Sequence, residues 1–369
     1  MLSGPLKNFF KLIFIGLVTF VVLGELFCRI IPQFRYEYFP DIYRPDKKLG
    51  WVLIPSSQAI DRKPCYSIRI KINSMGLRDR EVALQKKKNT FRILVLGDSF
   101  TFGSGVENEE TFPKYLERLL NVKSNEIKYE VINAGIFGWG TSQEYAYLKE
   151  GGIRFKPDLI ILAFAPNDVE DVYYQEFKGW KLNLSPRFPF KNFVTRHSYF
   201  YRNMRMPYTK FLISLGKRGP SAFFDSPSQV FQETFPEKLK LAFDKTEEII
   251  LKMDILAKQN KAKVAFVFVP TTLEVLGQLN EDRYLRGKSY FFDTKFQANY
   301  QLRVRKEISE FLRKNGTFNL DPLSDFTYSC SAESLHNLYF WCDGHFTPEG
   351  HKLFAQAIYN FLLKNNMLK

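Results

Sequence analysis

At 369 residues, 45% of them hydrophobic and 25% charged, the chain is long enough to bury a substantial core and too apolar to stay disordered. A formal net charge of +14 and a pI near 9.4 favour anionic surroundings, whether lipid headgroups, acidic glycans or nucleic acid. There is no zinc-type Cys/His spacing, no Gly-x-x-x-x-Gly-Lys phosphate loop and no internal repeat, which removes several nucleic-acid and nucleotide readings.

Lys7 and Lys11 precede an uncharged apolar run over residues 12–24, and Glu25 and Arg29 follow it. The run is shorter than the ~20 residues a bilayer needs, but Lys11 can snorkel and Glu25 can pair with Arg29 one helical turn on. No small-x-small cleavage site follows, so residues 1–32 read as an uncleaved membrane anchor, with a signal peptide as the rival. Lysines ahead of the span put the amino terminus in the cytoplasm and the rest outside, on the periplasmic or extracellular side, where nucleic acid is not an expected partner. Cys28 sits at the membrane boundary, and Cys65, Cys330 and Cys342 lie beyond it, where disulfides can form. Cys330 with Cys342 is the natural pair, and three buried thiols are the alternative.

Residues 33–90 form a β-rich prelude whose best strand, 66–73, alternates apolar and basic residues, followed by a turn through Asn73 and Gly76 to Arg78. At residues 91–96 a nearly continuous apolar run marks a strand covered on both faces. It ends in Gly97-Asp98-Ser99, three residues that on their own are an ordinary turn. A helix opens at Thr111 with Pro113 in its first turn, and residues 129–133 make the second strand. The loop that follows carries Gly135, Gly138 and Gly140, and Thr141 with Glu144 has the spacing of a capping box. The glycines serve loop flexibility, or at Gly138 they let a backbone N–H approach a developing oxyanion. The third strand, 159–164, ends at Asn167-Asp168, where an amide can donate to the same oxyanion.

The βα alternation then stops from about 172 to 228, which reads as an insertion, and returns with a helix over 236–260, a strand over 263–269, a helix over 297–314 and a short strand over 317–321. This pattern predicts a doubly wound parallel α/β sheet. Near the end, Thr347 and Pro348 cap and start a helix, with Asp343 and His345 on the loop before it. The chain has four histidines, His197, His336, His345 and His351, so a serine mechanism has few bases to choose from. His351, in the first turn of the last helix, reads as a solvated surface residue.

Together these residues resemble the SGNH, or GDSL-like, hydrolase family, whose ordered blocks carry Ser, Gly, Asn and His. Gly97-Asp98-Ser99, Gly138, Asn167-Asp168 and Asp343-Gly344-His345 match those blocks in order, over roughly residues 91–360; Ala165 stands where the third block usually has glycine. The prelude and the anchor look like those of membrane-tethered bacterial members. The resemblance implies a flavodoxin-like sheet over 91–369, Ser99 as nucleophile, His345 as base, Asp343 as its orienting acid, and an oxyanion hole from Ser99, Gly138 and Asn167, with no metal or cofactor.

Three functions are compatible. The first is a serine esterase acting on O-acyl groups of a carbohydrate or lipid outside the membrane. The second is an O-acyltransferase modifying an exopolysaccharide with the same site. The third, a non-catalytic glycan-binding protein on this fold, sits poorly with a complete residue set. Between 178 and 218 the insertion has ten Lys or Arg and no Asp or Glu, interleaved with aromatics. It either packs on the sheet or forms a rim platform, with Arg196, Arg202 and Arg205 holding an anionic substrate or headgroups.

Overall fold

The computed structural model describes residues 4–31, 34, 42–122, 126–177, 194, 197–204, 234–279, 294–331 and 333–369. It opens with α1 (Gly4–Ile30), a 27-residue helix that continues past both ends of the uncharged run. The stretch Asn8–Ile30 has a mean hydropathy of 2.2 and its most apolar part is not buried by the rest of the fold, as befits a membrane anchor or a signal sequence, although Cys28 near its end is buried. Arg29 and Glu25 pair at 2.9 Å, as their spacing predicts. The Glu25 carboxylate also accepts from the Ser198 hydroxyl at 2.8 Å and from the Phe200 N–H at 3.0 Å. Phe200 lies over Gly24, where a Cβ would stand 2.4 Å from its ring.

The prelude is two antiparallel hairpins, β1 (Tyr43–Asp46) with β2 (Gly50–Leu53), and β3 (Gln58–Lys63) with β4 (Tyr66–Lys71). Period-two alternation turns Ile68 and Ile70 inward and leaves Arg69 and Lys71 in solvent. The inward residues join Trp51, Leu53, Phe102, Ile136 and Trp139 in one cluster. Phe102 and Ile136 lie just beyond two strands of the main sheet, so the prelude is packed onto the loops where chemistry is expected. The turn after β4 forms as read, with the Asn73 side chain accepting from the Leu77 N–H at 2.9 Å.

The main sheet is β5 (Thr90–Gly97), β6 (Lys128–Asn133), β7 (Leu159–Phe164), β8 (Lys263–Phe268) and β9 (Asn319–Leu320), parallel throughout in the order β6-β5-β7-β8-β9. Its helices are α2 (Ser99–Phe102), α3 (Phe112–Val122), α4 (Thr141–Glu150), α5 (Asp168–Phe177), α6 (Glu237–Gln259), α7 (Thr272–Gln278), α8 (Thr294–Lys314), α9 (Leu323–Tyr328) and α10 (Pro348–Lys364). Successive residues of each strand point to opposite faces. Ile93, Val95, Ile161 and Val267 meet Leu116, Phe354 and Ile358 on one side, while Leu94, Leu96, Leu162 and Phe266 meet Leu148, Val172 and Ile250 on the other. Each such side chain contributes about 1.5–3 kcal/mol on burial, which is why the strands read as unbroken apolar runs. The chain leaves β5 for β6 on one side and then crosses to β7 on the other, so the crevice of an open α/β sheet falls beyond the end of β5.

One local expectation is corrected. Thr141 and Glu144 do not form a capping box: extended Gly140 takes the cap position and its N–H donates to Gln143 at 3.3 Å. Only the reciprocal half of a box forms, one residue nearer the amino terminus, because Gly140 has no side chain to accept, and Glu144 is carried into the interior.

Candidate active site

Beyond β5 the backbone turns at Gly97, whose φ of +156° leaves no room for a Cβ against Thr101. Asp98 caps α2 by accepting from the Phe100 N–H at 2.9 Å, which makes Ser99 the first helical residue. The loop after it is fastened by buried Arg78, which donates to the carbonyls of Phe102, Gly103 and Val106. Burial lowers this guanidinium to about 10. The turn noted around Asn73 therefore ends in a residue that braces the Ser99 loop, a role no local pattern announces.

The second half of the site is the loop before α10. Phe346, fully buried, packs on Phe100 at 4.9 Å and Phe326 at 5.2 Å between ring centroids, which pins the residue before it. His345 Nε2 lies 2.7 Å from Ser99 Oγ, and His345 Nδ1 lies 2.9 Å from Asp343 Oδ2. With the Nδ1 proton on the carboxylate side, Nε2 accepts from the serine hydroxyl. Asp343 is also met from the prelude: Lys63 Nζ donates to its Oδ1 at 2.8 Å, and Tyr66 Oη stands 3.2 Å from its Oδ2. The same hydroxyl is 3.2 Å from buried Asp61. Burial would raise the Asp343 carboxyl, but the His345 and Lys63 charges and their hydrogen bonds hold it well below the usual carboxylate range.

Cysteine pairing differs from the expected Cys330–Cys342 bridge. Cys65 bonds Cys342 with Cα atoms 5.9 Å apart, and Cys330 is a free thiol facing the Phe326 carbonyl. The β3–β4 turn brings Cys65 to the loop of Asp343, a contact across 277 residues that sequence proximity cannot reveal. Lys63 and Tyr66 were missed for the same reason. The available signal was a lone prelude cysteine flanked by a lysine and a tyrosine.

Gly138 adopts φ +74° in the loop after β6, within a turn whose Phe137 ring is 6.3 Å from His345. Asn167 immediately precedes α5, and its amide donates to Asp171 at 3.0 Å. Ala165 has no positive φ, so the glycine usual at that position is not needed here. Behind these loops lie buried carboxyls. Glu144 and Asp168 are fully enclosed and burial raises both well above their ordinary values, with the charges of Asp98 and Asp171 adding at each and that of Glu144 adding at Asp168. Among the described residues no group of three or more His, Cys, Asp or Glu is placed to hold a metal ion.

His351 is corrected from surface to core. It is buried, stacks on Phe112, and its Nδ1 accepts from the Phe112 N–H at 3.1 Å, because α10 packs against the start of α3. Of the three insertion arginines, Arg196 and Arg205 lie outside the described residues. Arg202 is buried, with its guanidinium 4.5 Å over the Tyr199 ring, and so is not open to an anionic substrate.

Residues 95–192 match the sequence model of the GDSL-like Lipase/Acylhydrolase family, a span that takes in Ser99, Gly138 and Asn167 and stops before Asp343 and His345. The chain carries a GDSL-like lipase/acylhydrolase domain. Solved structures similar to it include a GDSL-like lipase from Bacteroides thetaiotaomicron, 17% identical, with 77% of this chain and 93% of that one covered and a TM-score of 0.38. A catalytic mutant of an acetylxylan esterase from Geobacillus stearothermophilus is 15% identical, covering 74% of this chain and 94% of that one at a TM-score of 0.40. No curated protein matches the sequence. The loops of Ser99, Gly138 and Asn167, within the matched span, follow consecutive strands, while Asp343 and His345 arrive from the far end of the chain.

Proposed function

We propose that the protein is a serine esterase that removes O-acyl groups, acetyl or similar, from a carbohydrate or lipid on the non-cytoplasmic side of a membrane. The observation that carries this reading is the unbroken hydrogen-bonded chain from Ser99 Oγ through His345 to Asp343. Ser99 Oγ attacks the ester carbonyl as His345 Nε2 takes its proton. Asp343, ionised despite burial, fixes the imidazole and stabilises the imidazolium. Collapse of the tetrahedral intermediate expels the alcohol, which receives the proton from His345, and water then releases the acyl group by the same route. The oxyanion is met by the Ser99 and Gly138 N–H groups and the Asn167 amide. The Asn167 amide donates to Asp171 and also hydrogen-bonds Asp98, so it serves the oxyanion by giving up one of these carboxyl contacts. The membrane placement is supported by the exposed apolar run of α1, the lysines in the first turns of that helix, and the Cys65–Cys342 bridge, which suits an oxidising compartment.

The test is acetate release from an acetylated polysaccharide, followed by NMR with wild type, Ser99→Ala and Asn167→Ala. Wild type should turn over, Ser99→Ala should not, and Asn167→Ala should lose about 3 kcal/mol of transition-state stabilisation with KM little changed. Acetate that appears on an added sugar acceptor in place of free acetate would make the enzyme a transferase. Activity retained in purified Ser99→Ala protein would end the serine mechanism.

A further inference from the structure

We propose that Lys63 and Tyr66, carried on the β3–β4 hairpin and stapled to the site by the Cys65–Cys342 disulfide, are positioning residues that fix the Asp343 carboxylate and offset its charge at His345. The inference rests on reading Ser99, His345 and Asp343 as a triad.

The hairpin reaches the site with its tip. Lys63 and Tyr66 are the last paired residues of the ladder, and Cys65, in the turn between them, is bonded to Cys342, the neighbour of Asp343. Three independent ties therefore join residues 63–66 to residues 342–343: a covalent bond, an ion pair at 2.8 Å and a hydroxyl contact at 3.2 Å. The carboxylate is held at both oxygens, Oδ1 by Lys63 and Oδ2 by His345 and Tyr66, so it cannot rotate away from the imidazole. The pair is largely enclosed, with 21% of the Lys63 side chain and 14% of the Asp343 side chain exposed, which limits screening by solvent.

Charge gives the arrangement a consequence for catalysis. A carboxylate alone beside a histidine favours the imidazolium and would keep the base protonated near neutral pH. A cation on the far oxygen cancels part of that pull, leaves His345 free to accept the serine proton, and keeps Asp343 ionised. The other charged or titratable groups that act here are Asp61 on β3, Asp98 before α2, Arg78 beside Asp61 and His351 on α10. None of them touches Asp343 Oδ1, so the offset belongs to Lys63.

The experiment is the pH dependence of kcat/KM on a short neutral ester, run on the full chain with wild type, Lys63→Met, Lys63→Arg, Tyr66→Phe and the double variant Cys65→Ser with Cys342→Ser. Fluorophosphonate labelling of each is read in parallel. In Lys63→Met the acidic limb should move to higher pH by about half a unit or more, and kcat should fall while KM holds. Lys63→Arg should restore the limb. Tyr66→Phe should lower kcat and leave the limb in place, and loss of the disulfide should move the limb in the same direction as Lys63→Met. Labelling of wild type at Ser99 with an unmoved limb in Lys63→Met would overturn the inference and leave the triad intact. Wild type that neither labels at Ser99 nor turns over would sink the triad reading itself. Should Lys63→Met fail to fold, the disulfide variant decides: a limb that stays at the wild-type position overturns the inference.

Discussion

His345 and His351 belong to one loop-and-helix segment yet meet opposite surroundings. His345 is held between a hydroxyl and a carboxylate, whereas His351 is enclosed with a backbone N–H and aromatic rings. Burial, with the Arg78 and His345 charges adding, lowers the His351 imidazole to about 3. It is therefore neutral in the folded protein at any ordinary pH, and as an acceptor for Phe112 it is structural. His351→Ala leaves that buried N–H unsatisfied and opens a cavity, so it should cost about 2–4 kcal/mol of stability in denaturant unfolding. Ser99 labelling of the folded fraction should persist. The folded value lies below the ordinary 6.5 of the unfolded chain, so the contribution is complete above about 6.5 and declines as pH falls toward about 3. The advantage of wild type over His351→Ala should shrink along that window in thermal midpoints, and a constant difference would contradict the assignment.

At the scale of elements, α4 carries a buried acid on the site side of the sheet. Both Glu144 oxygens lack a hydrogen-bond partner among the described residues, which a carboxylate could not sustain but a protonated acid can. Its folded value is raised, mainly by burial, so its contribution is present below the ordinary 4.5 and is lost as pH rises. Glu144→Gln, neutral at every pH, should flatten the alkaline fall of the thermal midpoint; identical profiles would refute a raised Glu144.

Much of the site could be read from the sequence because its parts are local. The two central strands are buried at every position, and each of the first three site elements follows directly on a strand. The last helix announced itself through Thr347, whose side chain accepts from the Gly350 N–H at 3.2 Å, with Pro348 behind it. What could not be read depends on distant packing. The Lys63–Asp343 contact spans 280 residues, and the burial of His351 is set by α3, not by its own helix. The shift of the α4 cap to Gly140 is a subtler case, since Thr141 is as good a cap by type and loses on backbone conformation.

On the scale of the whole molecule, the insertion reaches back to the amino-terminal helix. Ser198, Tyr199 and Phe200 hydrogen-bond Glu25, the Asn203 amide donates to the Phe34 carbonyl at 3.0 Å, and Phe200 covers Gly24. Gly24→Leu should displace Phe200 and raise protease sensitivity near residue 200, while small-ester turnover stays at the wild-type level. Unchanged proteolysis would mean that this docking does not hold in solution. The unbalanced charge of residues 178–218 still favours an anionic partner, and Arg196→Glu with Arg205→Glu should raise KM for an acidic acylated substrate, with the difference fading as salt increases. A neutral ester should be hydrolysed as before.

The proposed chemistry depends on Ser99 being an activated nucleophile. The most direct measurement is fluorophosphonate labelling of the full-length protein with the adduct located by peptide mass spectrometry. One adduct on Ser99, absent in Ser99→Ala and strongly slowed in His345→Ala but not in folded His351→Ala, is the result expected. No adduct, or one equally fast without His345, would contradict it.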